Sequence, residues 1–436
     1  MARQSAGGED DLASDRESAT SGDVAGRADV AREAAELARG TAQIIPEGGL
    51  EARLAEARSA RRPLRVKLGV DPSGSDLTLG HAVVLRKLRQ FQDHGHIAVL
   101  IVGDFTGQIG DPTGRTQTRK ALSADRTRAN AQTYLRQALK ILREDQLELR
   151  YNSDWLAKMS LVEVLETSRL LTVARLLERD DFARRYQAGL PISLMEFMYP
   201  MLQGMDSVAI RSDIEIGGTD QTYNNLVGRT LQKEANQNPQ LILTMPLLRG
   251  TDGAEKMGKS LGNWISLNDS PDDQYGKVMS IADDLLTHYA ELCCNWDAGT
   301  LDTFTESARA KPMEAKLALA RRIVELYHGA AAAQDTARRF DERFRRRRLP
   351  VDAPEFSIAQ FSDKVDIVDL LCAANLAASK SEARRLLAAQ AIRLDGDKVS
   401  PEPAPLTVQA LDGKILQRGK LRAVRLLGAG SAQAGQ

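Results

Sequence analysis

The chain has 436 residues, enough for about three domains and a sizeable buried core. Lys plus Arg and Asp plus Glu each number 59, a formal charge of zero, which excludes a global field as the means of attracting nucleic acid and confines RNA contact to local patches. Three cysteines without a CxxC pair exclude a disulfide framework and a Cys-rich zinc site, and with neither a leader-like apolar core nor an apolar run near 18 residues the sequence reads as cytoplasmic, with no membrane partner.

Residues 1–40 are rich in Gly, Ala, Ser and charge and lack aromatics, which predicts a mobile tail. Arg65-Val-Lys-Leu-Gly-Val70 then predicts a strand, Gly80 to His94 a helix and Ile97 to Val102 a buried strand, together one β-α-β unit. In that helix Val84, Leu88 and Phe91 share one face and Arg86, Lys87 and Arg89 the other, as for a helix laid on a parallel sheet. Strands at Asp213 to Ile216 and Leu241 to Met245 extend this to a doubly wound, parallel-sheet (Rossmann-like) α/β catalytic domain over 41–268. A helical pattern over 269–349 predicts an α-helical domain, 350–362 with Pro350 and Pro354 a linker, and 363–436 a small basic α+β domain.

Three motifs in the first domain point to nucleotide chemistry. Asp71-Pro-Ser-Gly-Ser-Asp-Leu-Thr-Leu-Gly-His81 joins the first strand to the first helix. Backbone N–H groups and the positive dipole end at such a helix start attract phosphate, Gly80 lets the ligand approach the backbone, and Ser73 and His81 can donate to phosphate oxygens. Gly217-Gly-Thr-Asp-Gln221 ends a strand, where Asp220 suits ribose hydroxyls. Lys256-Met-Gly-Lys-Ser260 is a glycine-flanked loop whose lysines can close on a polyphosphate leaving group. Alone, these would read as a helix cap, an ordinary turn and a solvated loop; their order within one domain gives them joint weight.

Together these residues resemble the class I aminoacyl-tRNA synthetases, with Thr78-Leu-Gly-His81 in place of His-Ile-Gly-His and Lys256-Met-Gly-Lys-Ser260 in place of Lys-Met-Ser-Lys-Ser. Gly103-Asp-Phe-Thr-Gly-Gln-Ile-Gly-Asp-Pro-Thr-Gly-Arg115 and Tyr199-Pro-Met-Leu-Gln-Gly-Met-Asp206 narrow the resemblance to the bacterial tyrosine–tRNA ligase family, the branch that opens Lys-Leu-Gly-x-Asp-Pro. The resemblance implies ATP-dependent activation of L-tyrosine and its transfer to the 3′ end of tRNA(Tyr). It implies catalytic roles for Ser73, Thr78, His81, Lys256, Lys259 and Ser260. It places tyrosine on Lys67, Gly69, Asp71, Thr106, Asp111, Tyr199, Gln203, Asp206 and Gln221, and ATP on Asp71, Gly80, His81, Gly218, Asp220, Met257 and Lys259. Within these sets Asp111, Tyr199 and Gln203 hold the ammonium and Asp206 accepts from the phenol; the 199, 203, 206 spacing suits one face of a helix.

Mg²⁺ on the β and γ oxygens is the expected helper, with no metal ligands of the protein's own, and a homodimer follows from the family alone. Three positions depart from the family's pattern. Thr78 offers a hydroxyl but no imidazole, Lys67 stands where other branches carry a Tyr that touches the phenol, and Gly258 for Ser predicts a looser loop.

The C-terminal segment resembles the S-four RNA-binding domain through Val368-Asp-Leu-Leu371, Ala378-Ser-Lys-Ser-Glu-Ala-Arg-Arg385 and Ile392-Arg-Leu-Asp-Gly396. From Ser379 to Arg425 ten Lys and Arg face five Asp and Glu, a local net of +5. That resemblance and charge point to RNA phosphate as partner, with Lys380, Arg384 and Arg385 as contacts.

Overall fold

The computed structural model describes residues 27–72, 74–112, 124–342, 353–361, 363–401, 405–419 and 422–428. Most of the expected tail, Ser73, the end of the Gly103–Arg115 motif and the arginine run before Pro350 lie outside them. Contacts divide the chain into two compact units, one ending at His328 and one beginning at Gly329.

The first unit is built on a six-stranded sheet of β1 (Gln43–Ile45), β2 (Arg65–Val70), β3 (Ile97–Val102), β4 (Leu147–Tyr151), β5 (Ile214–Gly218) and β6 (Leu241–Met245), in the order β1-β6-β5-β2-β3-β4. All neighbours are parallel except the edge pair β1 and β6. The apolar run of β3 is buried from Ala98 to Val102, as a strand covered on both faces requires. Beyond β2 the order runs to β3 and β4 on one side and to β5 and β6 on the other. The carboxyl ends of β2 and β5 therefore flank the switch point at which open α/β sheets bind ligands.

Helix Leu79–Asp93 follows β2 and buries Leu79, Ala82, Val83, Leu85, Leu88 and Phe91. Its second face is not simply solvated, contrary to the pattern of Arg86, Lys87 and Arg89. Lys87 is buried, and its ammonium donates to the carbonyls of Leu37 and Arg39, each at 2.8 Å. Those carbonyls end a helix over residues 27–38, where a cation satisfies unpaired acceptors and the negative dipole end. Burial pushes the Lys87 ammonium down to about 8.

Residues 27–38 thus depart from the expected mobile tail. Val30, Ala34 and Leu37, at helical spacing, are buried, and Glu33 receives His96 Nε2 at 3.1 Å. Three apolar residues in register outweigh the tail-like composition of the segment.

The helices from Pro271–Ser280 to Pro312–His328 belong to this same unit. Arg86 ties them to the sheet layer, donating to Tyr327 Oη at 2.8 Å with its guanidinium over that ring. No described helix is long and apolar enough to cross a membrane.

The second unit contains helix Ala330–Phe340 and a five-stranded sheet of Asp397–Lys398, Ile392–Leu394, Ile415–Arg418, Arg422–Leu427 and Glu355–Ser357, in that order. Helices Ile367–Ala373 and Lys380–Ala388 share its core, in which Leu370, Leu371, Ala383, Leu387 and Leu416 are buried. Lys380, Arg384 and Arg385 lie exposed on or beside the second of these helices. Lys380 is paired with Asp369 at 2.6 Å.

Candidate active site

A cleft of about 340 Å³ opens at the switch point, a size and position typical of small-molecule sites. Its lining includes Gly69 of β2 and Asp71 just after it, Thr78, Gly80 and His81 from the helix start, Thr106 and Asp111, Gly218 at the end of β5 with Asp220 and Gln221 beyond it, and Lys256 and Met257. Helix Leu194–Ile210 supplies Tyr199, Gln203 and Asp206, so the 199, 203, 206 spacing does bring three side chains to one wall.

Asp206 is buried at the polar end of this wall. Its Oδ1 accepts from Trp155 Nε1 at 2.9 Å, and Asn152 Nδ2 approaches its Oδ2 at 3.4 Å. Burial pushes its carboxyl up to about 7, against the pull of Lys67 and of the two donors. Asn152 also donates to Thr106 Oγ1 at 2.9 Å, Thr106 to Asp71 Oδ1 at 2.7 Å, and Tyr199 to Asp71 Oδ2 at 2.8 Å. A continuous network therefore joins Asp206 to Tyr199. Burial beside Asp71 and Asp111 raises the Tyr199 phenol well above its usual value, so it stays a donor. Asp111 in turn accepts from Gln221 Nε2 at 2.8 Å.

At the other end, Thr78 caps the helix start. Its N–H approaches His81 Nδ1 at 3.2 Å and its hydroxyl stands 2.8 Å from the same nitrogen. A ring nitrogen that accepts a backbone N–H carries no proton, which leaves the proton on Nε2. Burial, then the charge of Lys259, pushes the imidazole down to about 4, so it is neutral near pH 7. The backbone N–H of Thr78 thus fixes the His81 tautomer, and the hydroxyl donates to the same nitrogen.

The lysine loop is docked on protein groups. Lys256 Nζ pairs with Asp220 Oδ2 at 2.7 Å, while Lys259 Nζ donates to Asp76 O at 2.7 Å and Tyr134 Oη at 2.9 Å. Gly258 is anchored too, its N–H donating to Asn263 Oδ1 at 2.8 Å. The loop is thus tethered on both sides of the Gly258 turn.

Three expected site residues lie outside the cleft's lining: Lys259, held on Asp76 and Tyr134, Lys67 and Ser260. Lys67 does not face the cleft: its side chain is sealed, and its ammonium meets Glu215 Oε1 at 2.8 Å, Ser207 Oγ at 2.8 Å and Gln203 O at 3.0 Å. A lysine on the middle strand of a covered sheet takes the partner that can neutralise it. Ser260 is exposed and outside the lining.

Sequence reading passes over Glu215, Asn152 and Trp155. Only Glu215 leaves a trace, as a carboxylate interrupting an isoleucine-rich strand that a buried parallel sheet would keep apolar.

Comparison with known proteins matches residues 59–345 to the family described as tRNA synthetases class I (W and Y) and 348–423 to the tyrosine–tRNA ligase SYY-like C-terminal domain. The chain is 46% identical over 401 residues to a tyrosine–tRNA ligase of Moorella thermoacetica, covering 91% of this chain and 96% of the relative. With the tyrosine–tRNA ligase of Geobacter sulfurreducens it shares 45%, covering 91% and 99%. Among solved structures, the fold is similar to a truncated Aspergillus nidulans mitochondrial tyrosyl-tRNA synthetase (TM-score 0.60, 23% identity, 73% of this chain and 99% of that one). It is also similar to the Archaeoglobus fulgidus tyrosyl-tRNA synthetase complexed with L-tyrosine (TM-score 0.58, 19% identity, 71% and 99%).

Proposed function

The chain belongs to the class I tRNA synthetase family of the W and Y type, and from that premise we propose that it is a tyrosine–tRNA ligase: it activates L-tyrosine with ATP and passes it to the 3′ end of tRNA(Tyr). The observation that carries the choice of tyrosine is Asp206, a buried acceptor held by Trp155 and Asn152 at the polar end of the cleft. A phenol hydroxyl is a donor of matching reach.

In this reading the phenol donates to Asp206, and the ammonium lies among Asp111, Tyr199 and Gln203. The carboxylate then faces the α-phosphorus of ATP. ATP lies across Gly80 and Gly218, with its ribose on Asp220 in place of Lys256 and its phosphates against Thr78, His81, Lys256 and Lys259. A carboxylate oxygen attacks the α-phosphorus, the bond to the bridging oxygen breaks, and pyrophosphate leaves with the electron pair. The tyrosine carboxylate is already ionised, so no general base is needed and catalysis is positioning plus stabilisation of the leaving charge. His81 supplies a neutral Nε2–H donor, and Lys259 a cation that must leave Asp76 and Tyr134. A terminal ribose hydroxyl of the tRNA then attacks the carbonyl carbon and releases AMP.

Among the described residues, no group of three or more His, Cys, Asp or Glu converges as a metal site; a Mg²⁺ bound with ATP would neutralise charge on its phosphates. Lys380, Arg384 and Arg385 are proposed to meet tRNA phosphate, and a cytoplasmic setting goes with that substrate. A homodimer is part of the same proposal. Leu161, Val162, Leu165 and Leu194 are each at least 60% exposed, a patch that a second copy would cover.

The deciding experiment is ATP–pyrophosphate exchange with each of the twenty amino acids. Exchange with tyrosine alone supports the reading; exchange with tryptophan in its place overturns it.

A further inference from the structure

Glu215 is a carboxylate inside a buried strand, and the reaction above gives it no role. It stands on β5 directly opposite Lys67 on β2, and the two meet at 2.8 Å with both side chains sealed from solvent. Its Oε1 also receives Gln203 Nε2 at 3.2 Å, and its Oε2 receives Ser207 Oγ at 3.1 Å and Gln240 Nε2. All four partners are donors, as an ionised carboxylate requires.

The consequence falls on Gln203. Its amide NH₂ is drawn to Glu215 and reaches Asn225 at 3.0 Å, so its Oε1 is the end left toward the cleft that Gln203 lines. Turning the Asn225 amide over brings its NH₂ to Glu215 Oε1 at 3.2 Å but also to within 3.0 Å of Gln203 Nε2, donor against donor, so the oxygen-outward Gln203 goes with the Asn225 orientation in which Oδ1 accepts from it and Glu215 Oε1 holds the same NH₂. An outward oxygen accepts from an ammonium; an outward NH₂ would repel one.

We propose that Lys67 and Glu215 form a positioning pair for the substrate's ammonium: Glu215 holds the Gln203 amide oxygen-outward, and Lys67 anchors the same helical turn. Lys67 does so through the Gln203 carbonyl and the Ser207 hydroxyl. It also supplies the opposite charge without which the buried carboxylate would be costly. Lys67 lies outside the cleft's lining, and Glu215, which borders the cleft with a side chain 2% exposed, has both oxygens engaged by its four donors. The inference rests on tyrosine being the substrate, and it makes the recognition of the ammonium, rather than of the phenol, the property this pair controls.

The test compares binding of tyrosine with that of 3-(4-hydroxyphenyl)propionate, which lacks only the amino group, by calorimetry on the full chain. In Glu215→Gln the new amide can present either end, so Gln203 is free to turn. Tyrosine Kd is expected to rise about tenfold, the loss of one charge-assisted hydrogen bond, while the deaminated ligand binds as in the wild type and the KM for ATP is unchanged. Lys67→Met combined with Glu215→Gln removes both charges together, leaves no unpaired ion to unfold the core, and should show the same selective loss. Equal losses for the two ligands, or no loss for tyrosine, would overturn the proposal. Absence of tyrosine-dependent pyrophosphate exchange in the wild type would instead overturn the function on which it rests.

Discussion

Trp155 Nε1 donates to Asp206 Oδ1 at 2.9 Å, which fixes the plane of a carboxylate whose other oxygen Asn152 approaches at only 3.4 Å. That second oxygen is the weaker-held one and the natural acceptor for a substrate hydroxyl.

Replacing Asp206 by Ala should therefore damage amino-acid selection. The phenol and the Trp155 indole both lose their acceptor, a cost of roughly 1–3 kcal/mol for each buried donor left unpaired. Affinity for tyrosine should fall and preference over phenylalanine should collapse, with ATP binding unchanged. Competition between the two amino acids in pyrophosphate exchange reads this; unaltered discrimination would remove Asp206 from the pocket.

The raised carboxyl of Asp206, about 7, predicts a pH profile. Tyrosine needs the ionised acceptor, so kcat/KM for tyrosine should rise with pH through about 7 in the free enzyme, and Asp206→Asn should lack that inflection. The folded value lies above that of an unfolded aspartate, so the folded state holds the extra proton. Without tyrosine, stability from this group is fully present below the ordinary carboxylate range and is lost as pH rises through about 7. Denaturation midpoints should fall as pH rises from about 4 to about 7 and more steeply in the wild type than in Asp206→Asn; equal slopes in the two proteins would show that the shift is absent.

Lys259 is parked on Asp76 and Tyr134. An interaction made with pyrophosphate chiefly in the transition state belongs in the rate, so Lys259→Ala should slow adenylate formation by about 10²–10³-fold with little change in tyrosine affinity. Single-turnover activation measures it, and an unchanged rate would exclude the loop from the chemistry.

Gly258 adopts φ −154, open to any residue, and an added Cβ would meet Leu261 Cδ1 at 3.6 Å, ordinary contact. Gly258→Ser should be accepted without strain and stabilise the fold by about 0.4–1 kcal/mol through the unfolded chain. Urea unfolding tests this; a loss of stability would show that the loop requires glycine.

Removing residues from 353 onward takes away the core around Leu370, Leu371 and Leu416 and the Lys380, Arg384 and Arg385 surface, while every residue lining the cleft stays. Pyrophosphate exchange should persist and tRNA charging should fall. Each lost phosphate contact should lower the slope of log K against log salt for tRNA binding by about 0.7–0.9. Full charging at low tRNA concentration would return those three residues to plain surface.

Several elements were legible in the sequence because their patterns are local. The apolar runs of β3 and β6, the alternating Val66, Leu68 and Val70 of β2 and the period of the Leu79–Asp93 helix state which faces are covered, and the glycine-bearing motifs announce where backbone meets a ligand. The short edge strand β1 and the mixed β4 lack such patterns, and the helix over 27–38 is masked by a composition that resembles a tail. The 199, 203, 206 face could be drawn from spacing alone, since helix geometry fixes it.

What tertiary structure alone decided is who neutralises whom. Lys67 and Glu215 are far apart in the chain and become neighbours because β2 and β5 pair at the switch point. Once both are dry, the ammonium takes the carboxylate and turns away from the cleft. Lys87 likewise has its partners in carbonyls about fifty residues earlier. Sequence records burial through periodic side-chain pattern. Hydrogen bonds and ion pairs depend on distances of a few ångströms between segments that only the folded chain brings together, and burial removes the water that would otherwise satisfy either partner.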